Sequence, residues 1–285
     1  MINSCIHSEI TDSGSSKGPD VMLDPSEQEL LELSNRIHAL PAWESEQMLF
    51  LYQEYIRKVL AADSVNWLAA YSGSFGQECW RTELLNGWKV TDIVYDSHAP
   101  DMSQSHYYHH ARENGNDPLT ELALNTVGKT RVLYIDVDSL TSSTSKSGPK
   151  KYSKQVGISH RMLGVYHLSD QAESYVMVDR FLDGKPYTQE DKESLYRLLL
   201  SFPRVHHWLC LKRGLISPAQ RPVTPRVQEV LMLLQQNLSE AEIAEHCELS
   251  PTTVHSYVME LYKIFNVSSR AELMSLWFQE IPTIS

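Results

Sequence analysis

The sequence predicts an α+β N-terminal domain, one antiparallel sheet flanked by helices, followed by an all-α C-terminal domain of four short helices. Three observations predict this. Short runs rich in β-branched and aromatic residues (WLAAY, RVLYIDV, RMLGVYHL, SYVMVDRF) recur between residues 66 and 181, which is strand chemistry. Amphipathic helical stretches precede and close that run. From Val223 onward, apolar residues recur at helical spacing in four segments, each opened by a Thr or Ser. Runs of strands and helices in separate blocks indicate an α+β layer rather than alternating βα units.

The front elements follow in order. Residues 1–25 are rich in Ser, Gly and Asp (SGSSKGPD) and read as a disordered tail. Leu30, Leu31, Leu33 and Ile37 give a helix from Ser26 to Leu40, stopped by Pro41. Met48, Leu51, Tyr52, Tyr55, Ile56 and Val59 give a second, from about Glu44 to Ala62. Such leading helices either seam a dimer or pack on their own domain. WLAAYSG from Asn66 and GWKVTDIVYD, with Trp88, Val90, Ile93 and Val94, read as the first two strands. RVLYIDV is the third. RMLGVYHL and SYVMVDRF are adjacent antiparallel strands turned by SDQAE. Thr188 caps a long helix that Pro203 kinks or breaks. The front domain with its leading helices is expected over 26–211, and a linker rich in Pro and Gly over 212–222.

At the C-terminus, over 223–281, each helix boundary has a cause. Thr224 stands before Pro225 at a first helical position, and Val227, Val230, Leu231 and Leu234 form the buried stripe. Asn237 suits a left-handed stop. Ser239 with Glu242 three residues on is a capping box, and Ile243 and Ala244 face inward. Ser250 and Pro251 open a third helix with Val254, Val258, Leu261 and Phe265 buried. Ser269 opens a fourth carrying Ala271, Leu273, Met274 and Trp277. The second and third are joined as in a helix-turn-helix. The outer side of the third shows Thr252, Thr253, His255, Ser256 and Met259, small polar groups suited to base edges in a major groove.

TPRVQEVLMLL, NLSEAEIAEHCELSPTTV and the closing VSSRAEL, in this order, resemble the LuxR-type helix-turn-helix regulators of bacteria, over about a fifth of the chain. The resemblance implies that the third helix reads DNA and the fourth supports dimerisation. Carried over by position, Thr252, Thr253, His255 and Ser256 lie nearest the bases, and Glu229 matches the acidic residue of the first helix. This sequence departs from the pattern at several places. Val227 stands where an acidic residue is frequent, His255 where Lys is, and Tyr257 where His is. Ile264 stands where Lys is usual, with Lys263 one position earlier, and Asn266 replaces a Gly.

Charge weighs against tight DNA binding. From Ser217 to Ser285 four cations (Arg221, Arg226, Lys263, Arg270) meet eight acids (Glu229, Glu240, Glu242, Glu245, Glu248, Glu260, Glu272, Glu280), a net of −4. Phosphate attraction supplies most non-specific affinity, so a single module is expected to bind weakly. Several of these acids lie on the second helix, which can face away from a duplex. The linker cations Lys212, Arg213 and Arg221, with Arg226 beyond, are expected to add phosphate contacts.

The segment SYVMVDRFLDGKPYTQEDKESLYRLLL resembles the last strand and helix of GAF-type sensory domains, which bind small molecules on one sheet face or mediate dimers. Tyr107, Tyr108 and Asp117-Pro118 are weakly similar to the autoinducer-binding domains of quorum-sensing LuxR regulators, which hold an acyl-homoserine lactone with a tyrosine and an aspartate. Read structurally, Asp117 instead caps a helix opening at Pro118. His106, His109 and His110 share a helical face but lack supporting acids beyond Glu113, so no metal site is assigned. His206, His207 and Trp208 read as packing or linker residues.

No Walker loop, G-x-S-x-G or H-E-x-x-H occurs, so no enzyme and no cofactor is expected. Asp136 and Asp138 end a strand, but the parallel βα pattern of phosphoacceptor domains is missing. Cys5, Cys79, Cys210 and Cys247 are scattered without metal or disulfide spacing, and no apolar run reaches membrane length. The net charge of −11 argues against a general nucleic-acid coat or an anionic membrane surface as partner, and the expectation from the motifs is a cytoplasmic transcription regulator. Its expected partners are double-stranded DNA, a second copy of itself and a small-molecule effector, with no membrane. The alternatives are an interaction protein that has lost DNA binding, or a receptor for an acyl-homoserine lactone.

Overall fold

The structure, a computed structural model, describes residues 25–72, 87–91, 93–95, 122–123, 125–136, 157–181 and 184–279. Helix α1 (Pro25–Ala39) and a short 3-10 turn (Ala42–Glu44) lead into α2 (Ser45–Val59). Strands β1 (Ser64–Ser72), β2 (Trp88–Val90), β3 (Arg131–Asp136), β4 (Ile158–Ser169) and β5 (Ala172–Phe181) follow. Then come α3 (Gln189–Ser201) and α4 (Pro203–Lys212). The C-terminal part holds α5 (Pro225–Gln235), α6 (Glu240–His246), α7 (Pro251–Phe265), α8 (Arg270–Ser275) and a final 3-10 turn (Leu276–Phe278).

The sheet runs β2-β1-β5-β4-β3 with every neighbouring pair antiparallel, as expected. Side chains alternate across it. Trp67, Ala69, Tyr71, Met162, Tyr166, Val176 and Val178 form one apolar face, under α2, α3 and α4. Leu68, Ala70, Leu163, Val165, Tyr175 and Met177 form the other, with Trp88 and Ala123. At Gly164 a side chain would put its Cβ 3.2 Å from the methyls of Leu195 and Leu199, so glycine lets α3 lie close on β4. Both leading helices pack on their own domain. α2 buries Met48, Leu49, Tyr52 and Ile56, and α1 buries Leu33 and Ile37.

Four local features are fixed by tertiary contacts rather than by the sequence pattern. Within their helices Leu31 and Ala271 face outward. The second strand stops at Val90, because the Thr91 hydroxyl takes the Ala69 N–H that a ladder carbonyl would accept. Pairing resumes as a single bridge between Trp67 and Val94. Thr224 makes no side-chain cap; its carbonyl accepts from Gln228 N–H, and the Gln228 amide caps Val223 O instead. The linker is packed rather than loose: Leu215, Ile216, Ala219 and Val223 are buried. Gly214, at φ +66°, turns the chain back beneath α4, where a Cβ would meet Arg221 O at 2.6 Å.

Two buried polar clusters hold the front domain. On the outer sheet face, Arg131 grips Glu173 with two bonds of 2.7 and 3.0 Å and also donates to Ala123 O, Lys129 O and Thr126 Oγ1. Tyr175 donates to the same carboxylate at 2.6 Å, and burial together with the Glu173 charge pushes its hydroxyl well above the usual tyrosine pKa. Arg161 pairs with Asp179 at 2.6 Å further along this face. On the inner face, the Trp67 indole donates to Ser174 Oγ at 2.8 Å, and Ser174 meets His206 Nδ1 of α4, also at 2.8 Å. The His206 ring stacks on Tyr166 at 4.6 Å, and its far nitrogen faces Tyr52. Burial lowers its pKa to about 3.

The expected outcomes follow from these burials. Arg131→Met leaves a fully buried carboxylate unpaired and should cost about 3–5 kcal/mol in urea unfolding. His206 stays neutral in the folded chain down to about pH 3, whereas the unfolded chain takes up the proton near the usual 6.5. Stability should therefore fall as pH drops below about 6.5, by at most ~1.4 kcal/mol per pH unit. His206→Gln should flatten that slope when urea midpoints at neutral and mildly acidic pH are compared.

Candidate nucleic-acid interface

The C-terminal helices are built as the capping pattern predicts. Ser239 and Glu242 form the capping box of α6, Ser250 accepts from Thr253 N–H at the start of α7, and Ser269 accepts from Glu272 N–H. Hydrogen bonds to Ser239 hold the Glu242 carboxyl below its usual pKa. Asn237 and Asn266 take the left-handed conformation at φ 66° and 52°, ending α5 and α7. Val254, Val258, Leu261 and Phe265 bury one side of α7, and Ile264 joins them at 1% exposure. That burial explains why an apolar residue stands there in place of a lysine.

The opposite side of α7 is open. Thr252, His255 and Ser256 are exposed, Met259 is 41% exposed, and Lys263 stands a turn further on. Their polar groups are partly committed. Thr253 is half-buried and its hydroxyl shares a hydrogen with Ser250 Oγ at 2.8 Å, so it belongs to the cap. The Ser256 hydroxyl donates to Thr252 O at 3.0 Å along its own helix. His255 Nδ1 lies 3.1 Å from Glu240 Oε2 of α6. One acid of α6 therefore borders this surface instead of facing away from it.

The cations fall differently from the sequence expectation. Arg226 pairs with Glu229 and donates to Cys247 O at 2.6 Å, which ties α5 to the end of α6. Glu229 is its counter-ion, and the bond to Cys247 O braces the module. Arg221 pairs with Glu260 at 2.7 Å. Arg270 donates to Leu238 O and Leu234 O, clamping α8 to the end of α5. Among the described residues of this module, Lys263 is the cation that makes no such bond.

Lys212 and Arg213 also lie elsewhere than expected. Lys212 is 5% exposed and meets Glu46 of α2 at 2.5 Å. Arg213 donates to the same carboxylate and to Leu209 O, and its guanidinium lies 4.7 Å from the centre of the Trp67 ring. Desolvation would raise the Glu46 pKa, but the two adjacent cations outweigh it and hold the carboxyl below its usual value. These two cations are internal struts and are not presented to a phosphate backbone.

Tyr107, Tyr108 and Asp117, expected around an effector, lie outside the described residues, as do His106, His109 and His110. Cys210 and Cys247 are buried free thiols; burial pushes that of Cys210 up to about 12. Among the described residues no cluster suits a metal ion, and no helix is long and apolar enough to cross a membrane.

No curated protein sequence matches the chain. Among solved structures it is similar to Escherichia coli SdiA, with 14% identity over 89% of this chain and 99% of that one, at a TM-score of 0.43. It is also similar to CepR2 of Burkholderia cenocepacia, described as an N-acylhomoserine lactone dependent LuxR family factor. That match has 11% identity over 65% and 94% of the two chains, at a TM-score of 0.46. A third is a GAF domain from Synechocystis sp., with 9% identity over 59% and 88%, at a TM-score of 0.34. The family model for bacterial regulatory proteins of the luxR family matches residues 221–277, which span α5 to α8. The capped four-helix unit with its open third helix is thus a luxR-family helix-turn-helix domain, carried at the C-terminal end of the chain.

Proposed function

We propose that this chain is a DNA-binding transcription regulator that works as a homodimer, with a front domain that takes a small-molecule effector. The observation that carries the reading is the free outer side of α7. Thr252, His255, Ser256 and Met259 stand exposed at the start of a helix whose other side is wholly core. A helix presented in this way matches the docking of recognition helices, whose N-terminal residues meet base edges while flanking groups hold phosphates. Thr252 and His255 supply readout, Met259 offers an apolar contact to a thymine methyl, and Lys263 supplies a phosphate contact.

With its other arginines bound internally, one module has little phosphate attraction. Pairing two modules raises the effective concentration of the second and so restores affinity without new contacts. An effector shifts the balance between arrangements of the pair only if it binds one of them better. An acyl-homoserine lactone is one candidate for that effector.

A second reading is favoured by the same internal pairing of Arg221, Arg226 and Arg270: a domain that docks on another regulator and has given up DNA. Selection of bound fragments from mixed genomic DNA, followed by mobility shifts at several salt concentrations, separates the two. For the regulator, Lys263→Gln should weaken binding to all sequences alike and reduce the salt slope of the dimer by about two, one for each module. His255→Ala with Ser256→Ala should change which sequences are selected. Replacing Lys212 and Arg213 together should leave the salt slope unchanged and lower stability instead. If purified dimers bind no DNA even in dilute buffer, the docking reading stands.

A further inference from the structure

Glu240, at the start of α6, reaches His255, early in α7. Its Oε2 lies 3.1 Å from His255 Nδ1, and the two side chains are 39% and 61% exposed. Glu240 is available for this contact because Glu242 makes the capping bonds of α6, accepting from the Ser239 N–H and hydroxyl. His255 shares the open side of α7 with Thr252, Ser256 and Met259, none of which is ionisable. The other charges around the pair stand off. Glu240 also acts on Tyr262 of α7, whose hydroxyl is raised first by burial and then by that carboxylate, while Arg270 of α8 opposes the rise. Lys263 lies about two turns beyond His255 on the same helix.

The contact decides what the rest of the ring can do. A carboxylate only accepts, so a neutral His255 ring keeps its proton on Nδ1, and Nε2 is left as a bare acceptor. When the ring is charged, Nδ1 still donates to Glu240 and Nε2 becomes a donor. The ring is held the same way in both states, and only the sense of Nε2 changes. A lysine, frequent at this position in the resembling family, donates in either case. Bases in the major groove sort by the same property. Adenine N6 and cytosine N4 donate, whereas guanine N7 and O6 accept.

We propose that Glu240 is a specificity-determining positioning residue, which holds His255 so that Nε2 reads a base amino group when the ring is neutral and guanine when it is charged. One base position of each half-site then depends on pH. The inference rests on the reading of α7 as the recognition helix. Glu240 itself meets no base and acts through the imidazole.

The test has two arms, both on the full chain. The first uses 15N-labelled histidine without DNA at about pH 8, with His255→Gln to identify the signal. The parent should show a protonated Nδ1 and an unprotonated Nε2. Glu240→Ala should release the ring and move its proton toward Nε2. Glu245→Ala, which removes an equal charge from the same helix, should leave the ring as in the parent. The second arm selects bound duplexes from a random library at about pH 8 and about pH 6, on either side of the range in which imidazoles change charge. One position should change from adenine or cytosine to guanine, its relative enrichment shifting about fivefold or more, while the other positions hold. Glu240→Ala should select guanine at both pH values, and His255→Gln should show no change with pH. A proton on Nε2 in the parent at pH 8, an unchanged base at every position, or a pH response kept by Glu240→Ala would each overturn the proposal and leave DNA binding intact. If no sequence is selected at either pH, the DNA-binding reading itself fails and takes this inference with it.

Discussion

Helix α4 is fastened at its middle and at its end, and the placement of the whole C-terminal module depends on it. At its middle, His206 is hydrogen-bonded to Ser174 of β5 and stacked on Tyr166 of β4. At its end, Lys212 and Arg213 close on Glu46 of α2, with the Arg213 guanidinium over Trp67 of β1. Four elements of the front domain thus grip one helix through buried or half-buried contacts, and breaking one partner of a buried polar pair alone costs free energy. Gly214 then turns the chain and Val223 N–H returns to Arg213 O, so the first residue of the module is bonded to the last residue of the grip. The apolar core runs through this joint without a break, from Leu33 to Trp277.

The same joint explains why the two clusters of the sheet are neighbours in more than sequence. Glu173, Ser174 and Tyr175 are consecutive on β5 and alternate across the sheet. Glu173 and Tyr175 belong to the Arg131 cluster on the outer face, and Ser174 to the His206 cluster on the inner one. A change at the outer face therefore has a covalent route of one residue to the helix that carries the module. Whether any ligand uses that route depends on its differential affinity for the two arrangements, and not on proximity alone.

Local signals were legible in the sequence, and tertiary assignments were not. The caps at Thr188, Ser239, Ser250 and Ser269 and the left-handed Asn237 and Asn266 were readable because each depends on a few adjacent residues. The antiparallel hairpin of β4 and β5 was readable from two apolar runs with a short polar turn. The fate of the cations was hidden. Lys212 meets a glutamate 166 residues earlier, and Arg270 meets carbonyls at the end of a helix three elements back, so no spacing rule points to them. Val90 ended its strand early for a similar reason: a hydroxyl at Thr91 replaced a ladder carbonyl, which pattern alone does not distinguish from continued pairing.

The internal binding of Arg221, Arg226 and Arg270 bears on how such a protein would spend its time in a cell. A regulator rich in free cations lingers on arbitrary duplex and finds its site by sliding. One whose arginines are engaged by its own carboxylates and carbonyls, in a module of net negative charge, has less hold on random sequence and spends more time in free solution between encounters. It would reach its target mainly by collision, and would leave the bulk of the chromosome unoccupied even when abundant.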